Sequence, residues 1–263
     1  MKAEFSKGII QYRASGQGPV VVFLHGFMET ARIWRAFAYK LSSRFRVVRI
    51  NLPGHGGSSV FKEPHTMEFM AAAVNAVLEK EKIGKALFVG HSMGGYVSLA
   101  FAEKWPEKVN GLIMFSSSSF ADSQERKAER ERAIKAADAH KMKFITSVVP
   151  NLFFERSGNK AAKKIYKLVK LASAQSKEGI VAAIKGMKDR PDRTSVLQKA
   201  GFPVLFLAGT HDPLLPVDKV DEMKNKCPGS KVQYLENSAH VGFIEQKKES
   251  IRIIRNFAIE KIL

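Results

Sequence analysis

The chain is predicted to be an α/β protein, a mostly parallel sheet flanked by helices and interrupted by one helical insertion. Three observations predict it. Short β-branched runs alternate with helical patterns up to residue 117; the alternation stops over 118–199, which reads as helix throughout; it then resumes over 200–263. Residues 1–117 and 200–263 therefore form the expected core, and 118–199 a helical cap inserted into it.

Each element has a local reason. "GIIQYR", "PVVVFLHG" and "FRVVRINLPG" read as strands, with a helix over "TARIWRAFAYKLSSR" before the last of them. A second helix covers "TMEFMAAAVNAVLEKEKI", with Thr66 as N-cap and an apolar stripe through Met70, Val74 and Val77. "KALFVG" is a buried strand, a helix starts near Ser92, and "VNGLIMFSS" is another strand. In the insertion, "SQERKAERERAIKAADAHKMKFITSVV" carries charges at helical spacing around the stripe Ile134, Met142, Ile145 and Val149, and "NKAAKKIYKLVKLASAQS" repeats the pattern. The final part reads as strand "FPVLFLAG", helix "VDKVDEMKNK", strand "KVQYLE", loop "NSAH" and a closing helix from Phe243.

Composition excludes several classes. Hydrophobic residues make up 45% and charged residues 26% of 263, so neither a disordered nor a fibrous chain is expected. No apolar run approaches a membrane span, and "MKAEFSKGII" lacks the apolar segment of a secretory signal, which predicts a cytoplasmic protein. The single cysteine, Cys227, excludes an internal disulfide or a thiolate cluster within one chain and reads as a turn thiol before Pro228 and Gly229. The formal charge of +18 favours anionic ligands, and roughly half of the excess sits in the insertion. No zinc-finger spacing, helix-turn-helix or RNP-like run accompanies it, so specific nucleic-acid binding is not expected. Oligomeric state is not readable.

The chemistry centres on Gly90-His91-Ser92-Met93-Gly94, a G-x-S-x-G between a strand and a helix. A nucleophile on such a turn is held in a strained backbone, and glycines two positions either side remove side chains that would clash. A serine hydroxyl needs a base, and the base needs an orienting acid. Of seven histidines, His240 in "NSAHVGF" follows the last strand and is the expected base. His25 and His55 sit in glycine-bounded loops and read as structural, His65, His140 and His211 lack matching context, and His91 is expected to point away from Ser92. Asp212 follows a strand in "LAGTHDPLLP" and is the expected acid, ahead of Asp218 and Asp221 in the next helix. The oxyanion would be met by the backbone N–H groups of Met93 and of Phe27, in "HGF".

On these residues the chain resembles the α/β-hydrolase superfamily over nearly its whole length, through "VVFLHGF", "RINLPGHGGSS", "FVGHSMGGY", "LAGTHDPLLP" and "NSAHVGFIEQ". The resemblance implies eight strands, a mobile lid between the sixth and seventh, the triad Ser92, Asp212 and His240, and no metal or organic cofactor. A serine at the elbow argues against the dehalogenases and epoxide hydrolases of this fold, which use aspartate there. Tyr96 stands where menaquinone-pathway synthases usually carry arginine, and Asn51 where many relatives carry aspartate, a difference expected to affect loop packing.

The expected activity is cleavage of small-molecule carboxylic esters, with small or medium acyl groups, through an acyl-enzyme. Met28, Phe153, Phe154 and Val241 are expected to line the pocket with Phe27 and Met93. Two other readings use the same residues. One is a lyase, synthase or lactonase acting on an anionic metabolite held by cap cations such as Lys163 and Lys164; the other is a binding protein with a vestigial triad.

Overall fold

The computed structural model describes residues 1–154 and 158–263. Its first half runs β1 (Lys2–Phe5), β2 (Gly8–Ser15), β3 (Val20–Leu24), α1 (Arg35–Leu41), β4 (Arg46–Ile50), α2 (Met67–Lys80), β5 (Ala86–His91), α3 (Met93–Lys104) and β6 (Val109–Phe115). Strand β1 escapes the sequence pattern. It joins β2 through Ser6 and Lys7, both at positive φ, without the glycine or asparagine that normally marks such a hairpin. Thr66 does cap α2: its hydroxyl accepts the Phe69 N–H at 3.1 Å, and Met70, Val74 and Val77 are buried.

The eight strands form one sheet in the order β1-β2-β4-β3-β5-β6-β7-β8, with β7 (Val204–Gly209) and β8 (Lys231–Leu235) supplied by the end of the chain. The pairs β1–β2 and β2–β4 are antiparallel and the remainder parallel. Central strands β5 and β7 are buried at every residue, as a sheet covered on both faces requires. All the parallel strands therefore end on the same edge, where β5, β7 and β8 release the loops carrying Ser92, Asp212 and His240.

Between β6 and β7 lie α4 (Gln124–Ala139), α5 (Lys141–Val148), α6 (Gly158–Ser173), α7 (Lys177–Lys188) and α8 (Thr194–Gln198), with no strand among the described residues. The long charged segment is two helices because His140 leaves the helical region, at φ −145° and ψ 71°. That break rotates the stripe: Ile145 and Val149 are buried, Ile134 is half-buried, and Met142 is exposed. After β7 come α9 (Val217–Lys226), α10 (Gly242–Glu245) and α11 (Lys247–Ile262). The expected closing helix is broken at Gln246, where Glu245 turns back to accept the Ala239 N–H at 2.9 Å. Among the described residues no helix is long and apolar enough to cross a membrane.

Candidate active site

β5 ends at His91 and α3 begins at Met93, leaving Ser92 between strand and helix at φ 48° and ψ −114°. Two hydrogen bonds hold it there: its N–H donates to the Phe115 carbonyl at 2.9 Å, and Ser117 Oγ donates to its carbonyl at 2.7 Å. The glycines are required sterically. A Cβ at Gly90 would lie 2.5 Å from the Gly94 carbonyl oxygen, and one at Gly94 would lie 2.5 Å from that of Leu24.

Asp212, in the loop after β7, uses both carboxylate oxygens. Oδ1 accepts the N–H groups of Leu214 and Leu215 at 2.9 and 3.2 Å, closing the turn at Pro213, while Oδ2 accepts His240 Nδ1–H at 2.8 Å. Burial by itself raises the Asp212 pKa, but the charge and hydrogen bond of His240 and the two backbone donors bring it below the usual aspartate value. The His240 loop can approach because β7 ends in Gly209, where a Cβ would meet the Ala239 carbonyl oxygen at 2.3 Å. A further bond, His240 N–H to the Leu152 carbonyl at 3.1 Å, ties this loop to the helical segment.

Ser92 and His240 line one cavity of about 840 Å³, together with Phe27 and Met28. No hydrogen bond joins Ser92 Oγ to His240 among the described residues, a contact that commonly tightens only with substrate in place. The N–H of Met93 is in the first turn of α3, where no intrahelical acceptor exists. Phe27 lies in a loop strained like the elbow: its neighbour Met28 has φ 60°.

Four of the six expected lining residues do not line this cavity. Phe153 and Val241 are buried in the core, and Phe154 is turned outward against His211, ring centroids 4.2 Å apart. The chain leaves the helical turn at Val149–Leu152 in an extended conformation, so the apolar wall is made by residues ahead of Phe153, Phe144, Val148 and Leu152, together with Ile184, Met187 and Leu215. The Met93 side chain is also buried away from the cavity, leaving only its backbone for a role. Lys163 and Lys164 lie elsewhere, on α6.

The cavity cations are instead three arginines, Arg126, Arg130 and Arg190, and Lys219, of which Arg126 pairs with Glu129 and Lys219 with Glu222. Asp122 is shared by two of them, Arg190 Nη1 at 2.8 Å and Arg130 Nε at 3.1 Å, and all three side chains are largely buried. The Arg190 guanidinium stacks on Tyr96, 3.9 Å from the ring centroid. One carboxylate against two guanidinium groups leaves one positive charge over. Arg130 carries it toward the cavity, since its terminal nitrogens have no hydrogen-bond partner among the described residues. Burial lowers the Arg130 pKa, with Tyr96 and Asp122 opposing that shift.

His25 braces the loop beside the elbow. His25 Nδ1–H donates to the Gly26 carbonyl at 2.8 Å and Nε2 accepts the Leu52 N–H at 3.0 Å, an arrangement that needs the neutral ring; burial, then His55, holds its pKa well below the ordinary value. Asn51 has a packing role, Oδ1 accepting from Ala31 N–H and Nδ2 donating to Gln11 Oε1. The residue that sequence reasoning missed is Glu29, whose Oε2 lies 3.0 Å from His91 Nδ1.

The family profile for the alpha/beta hydrolase fold matches residues 19–247. A thermophilic esterase from Thermogutta terrifontis, solved with malate bound, superposes with a TM-score of 0.94 at 28% identity, covering 100% of this chain and 99% of that one. An enol-lactonase from Burkholderia xenovorans superposes at 0.91 with 22% identity over 98% and 100% of the two chains, a likeness of fold alone. The pimeloyl-[acyl-carrier protein] methyl ester esterase of Vibrio parahaemolyticus is 26% identical over 255 residues, 95% of this chain and 98% of that protein. The chain belongs to the α/β hydrolase fold family, as an esterase-like member of it.

Proposed function

We propose that the protein is a serine carboxylester hydrolase working through an acyl-enzyme. The observation that carries this reading is the buried pair His240 Nδ1–Asp212 Oδ2, at 2.8 Å, opening onto the same cavity as the strained Ser92. Ser92 Oγ attacks the ester carbonyl carbon while His240 Nε2 takes its proton. The oxyanion is met by the N–H groups of Phe27 and Met93. The tetrahedral adduct then breaks its bond to the alkoxy oxygen, which leaves as alcohol with the proton from His240. Water repeats the sequence, releasing the acid and restoring Ser92.

Mono-esters whose acid part carries a second, anionic group are the favoured substrates. Arg130 supports this, because its uncompensated charge faces a cavity whose other cations are paired, Arg126 with Glu129, Lys219 with Glu222 and Arg190 with Asp122, beside an apolar wall of Phe144, Val148, Leu152 and Ile184. Arg130 and Ser92 line the same cavity, so an anion on the one can belong to an ester placed at the other. One relative supports ester cleavage in general, being described as a pimeloyl-[acyl-carrier protein] methyl ester esterase, and a second, solved with malate bound, holds a dicarboxylate.

The test is Ser92→Ala assayed on p-nitrophenyl butyrate, with fluorophosphonate labelling mapped by mass spectrometry. Loss of at least about 10³-fold in kcat, and wild-type labelling at Ser92 alone, are expected. Undiminished turnover in the variant would sink the proposal, and labelling without turnover on any ester would favour a binding protein.

A further inference from the structure

A second cavity, of about 690 Å³, shares no lining residue with the first. It lies between β2, β4, the turn at Ala31–Trp34 and the end of α6, and four arginines surround it: Arg13, Arg32, Arg35 and Arg49. No carboxylate lines it, and none of the four makes an ion pair among the described residues. The chain does pair arginines where pairing serves. Arg46, three residues before Arg49 on β4, is bonded to Glu81, and Arg193 is held by Glu68 and Glu103.

The arrangement is costly. Arg13 and Arg49 are direct partners across the antiparallel β2–β4 pair, so their side chains leave the same face of the sheet, and like charges opposite one another are destabilising. Arg49 is half-buried, and its Nε is fully enclosed without an acceptor among the described residues. Burial lowers its pKa first, and Arg13 and Arg35 lower it further. Arg13, Arg32 and Arg35 are exposed and form the mouth over this half-buried floor.

We infer that this cavity binds the diphosphate group of a small soluble metabolite. Four guanidinium groups without a lysine among them favour planar, two-point contacts to phosphoryl oxygens over diffuse attraction. Two opposed arginines on the sheet and two from the adjoining turn suit a group with several oxygens on two centres better than a single carboxylate. The volume falls within the usual range for small-molecule sites, and Ala31, Leu171 and Ala174 offer an apolar side for the organic part. The site is independent of the ester chemistry proposed above.

Calorimetric titration with pyrophosphate, and with ADP as an organic diphosphate, tests it at low and at physiological salt. Arg13→Gln and Arg49→Gln should each weaken pyrophosphate binding by about tenfold or more, whereas Lys163→Gln/Lys164→Gln, which removes more charge about two turns away on α6 and outside the lining, should change it by less than about twofold. Sulfate should bind more weakly than pyrophosphate. Ester turnover reports folding of every variant; if Arg49→Gln does not fold, exposed Arg13 decides. No pyrophosphate binding, or equal loss in the lysine variant, would overturn the inference.

Discussion

Glu29 and His91 form a buried pair directly beneath the elbow, Glu29 Oε2 to His91 Nδ1 at 3.0 Å, and each reaches one of the loops that border the cavity. Glu29 Oε2 also accepts the Gly26 N–H at 2.6 Å, while His91 Nε2–H donates to the His240 carbonyl at 2.9 Å. Using both ring nitrogens as donors requires the imidazolium. Burial works against that charge, but the Glu29 carboxylate, its hydrogen bond and the His240 carbonyl together raise the His91 pKa above the ordinary 6.5.

The sign of the pH effect follows. A raised folded-state pKa gives stability that is complete below about pH 6.5 and is lost as pH rises through the folded value. Glu29→Gln should therefore lower Tm most at mildly acid pH, with the gap from wild type narrowing as pH increases. Its kcat should fall roughly tenfold or more as the Phe27 and His240 loops lose their common tie. A Tm gap constant between pH 6 and 9 would show that the pair is not charged.

Asp212→Asn should retain the fold and lose about 10³–10⁴-fold in kcat, because asparagine leaves His240 in the wrong tautomer. The depressed Asp212 pKa makes its contribution to stability present above the ordinary 3.8 and lost only as pH falls below that, through the folded value. Acid unfolding of the variant should accordingly be less steep than that of wild type. Equal kcat in the two proteins would remove Asp212 from the orienting role.

The elbow was legible because its constraints are local: two glycines, a serine, a strand before and a helix after. Asp212 and His240 were legible because strand ends are, and a sheet of parallel strands sends its loops to one edge. Glu29 was not, since its partner is 62 residues away and nothing near "GFMET" signals a buried charge. Strand β1 was hidden by a glycine-free turn. The pocket wall failed for another reason. Phe153 and Phe154 look like lining by hydrophobicity, yet a single extended residue after a helical turn decides which side chains face inward. Arg130 and Arg190 lie in a segment whose charge pattern marks no dominant face, so only packing against Tyr96 and Asp122 distinguishes them from solvated arginines.

The shared carboxylate makes opposite predictions for its partners. Asp122→Asn leaves two largely buried guanidinium groups without a counter-charge and should cost about 3–5 kcal/mol, read by denaturant unfolding. Arg130→Met leaves Arg190 and Asp122 as a one-to-one pair, so its stability should stay within about 1 kcal/mol of wild type or exceed it. The same variant should raise KM for a hemi-succinate ester about tenfold while changing that for the neutral butyrate by less than about twofold. Equal KM changes for the two esters would show that Arg130 shapes the cavity without reading charge.

Gly94→Ala tests whether the elbow needs its glycines for space. Alanine in the first turns of a helix is worth up to about 1 kcal/mol over glycine, and Gly94 is not at positive φ, so propensity alone predicts a more stable protein. The new Cβ, however, would sit 2.5 Å from the Leu24 carbonyl oxygen, 2.7 Å from its carbon and 2.8 Å from the His25 carbonyl oxygen. All three are backbone atoms at the end of β3, where the loop carrying Phe27 begins, and none can rotate aside. Either α3 or that loop must shift by several tenths of an ångström, which separates the Phe27 and Met93 N–H groups. Since displacement of catalytic groups by about 1 Å costs on the order of 10²-fold, kcat should fall by one to two orders of magnitude, about 10–100-fold, while KM moves little. Gly84→Ala, in a place with open space around the new Cβ, should leave kcat unchanged and so separates crowding at the elbow from a general glycine effect.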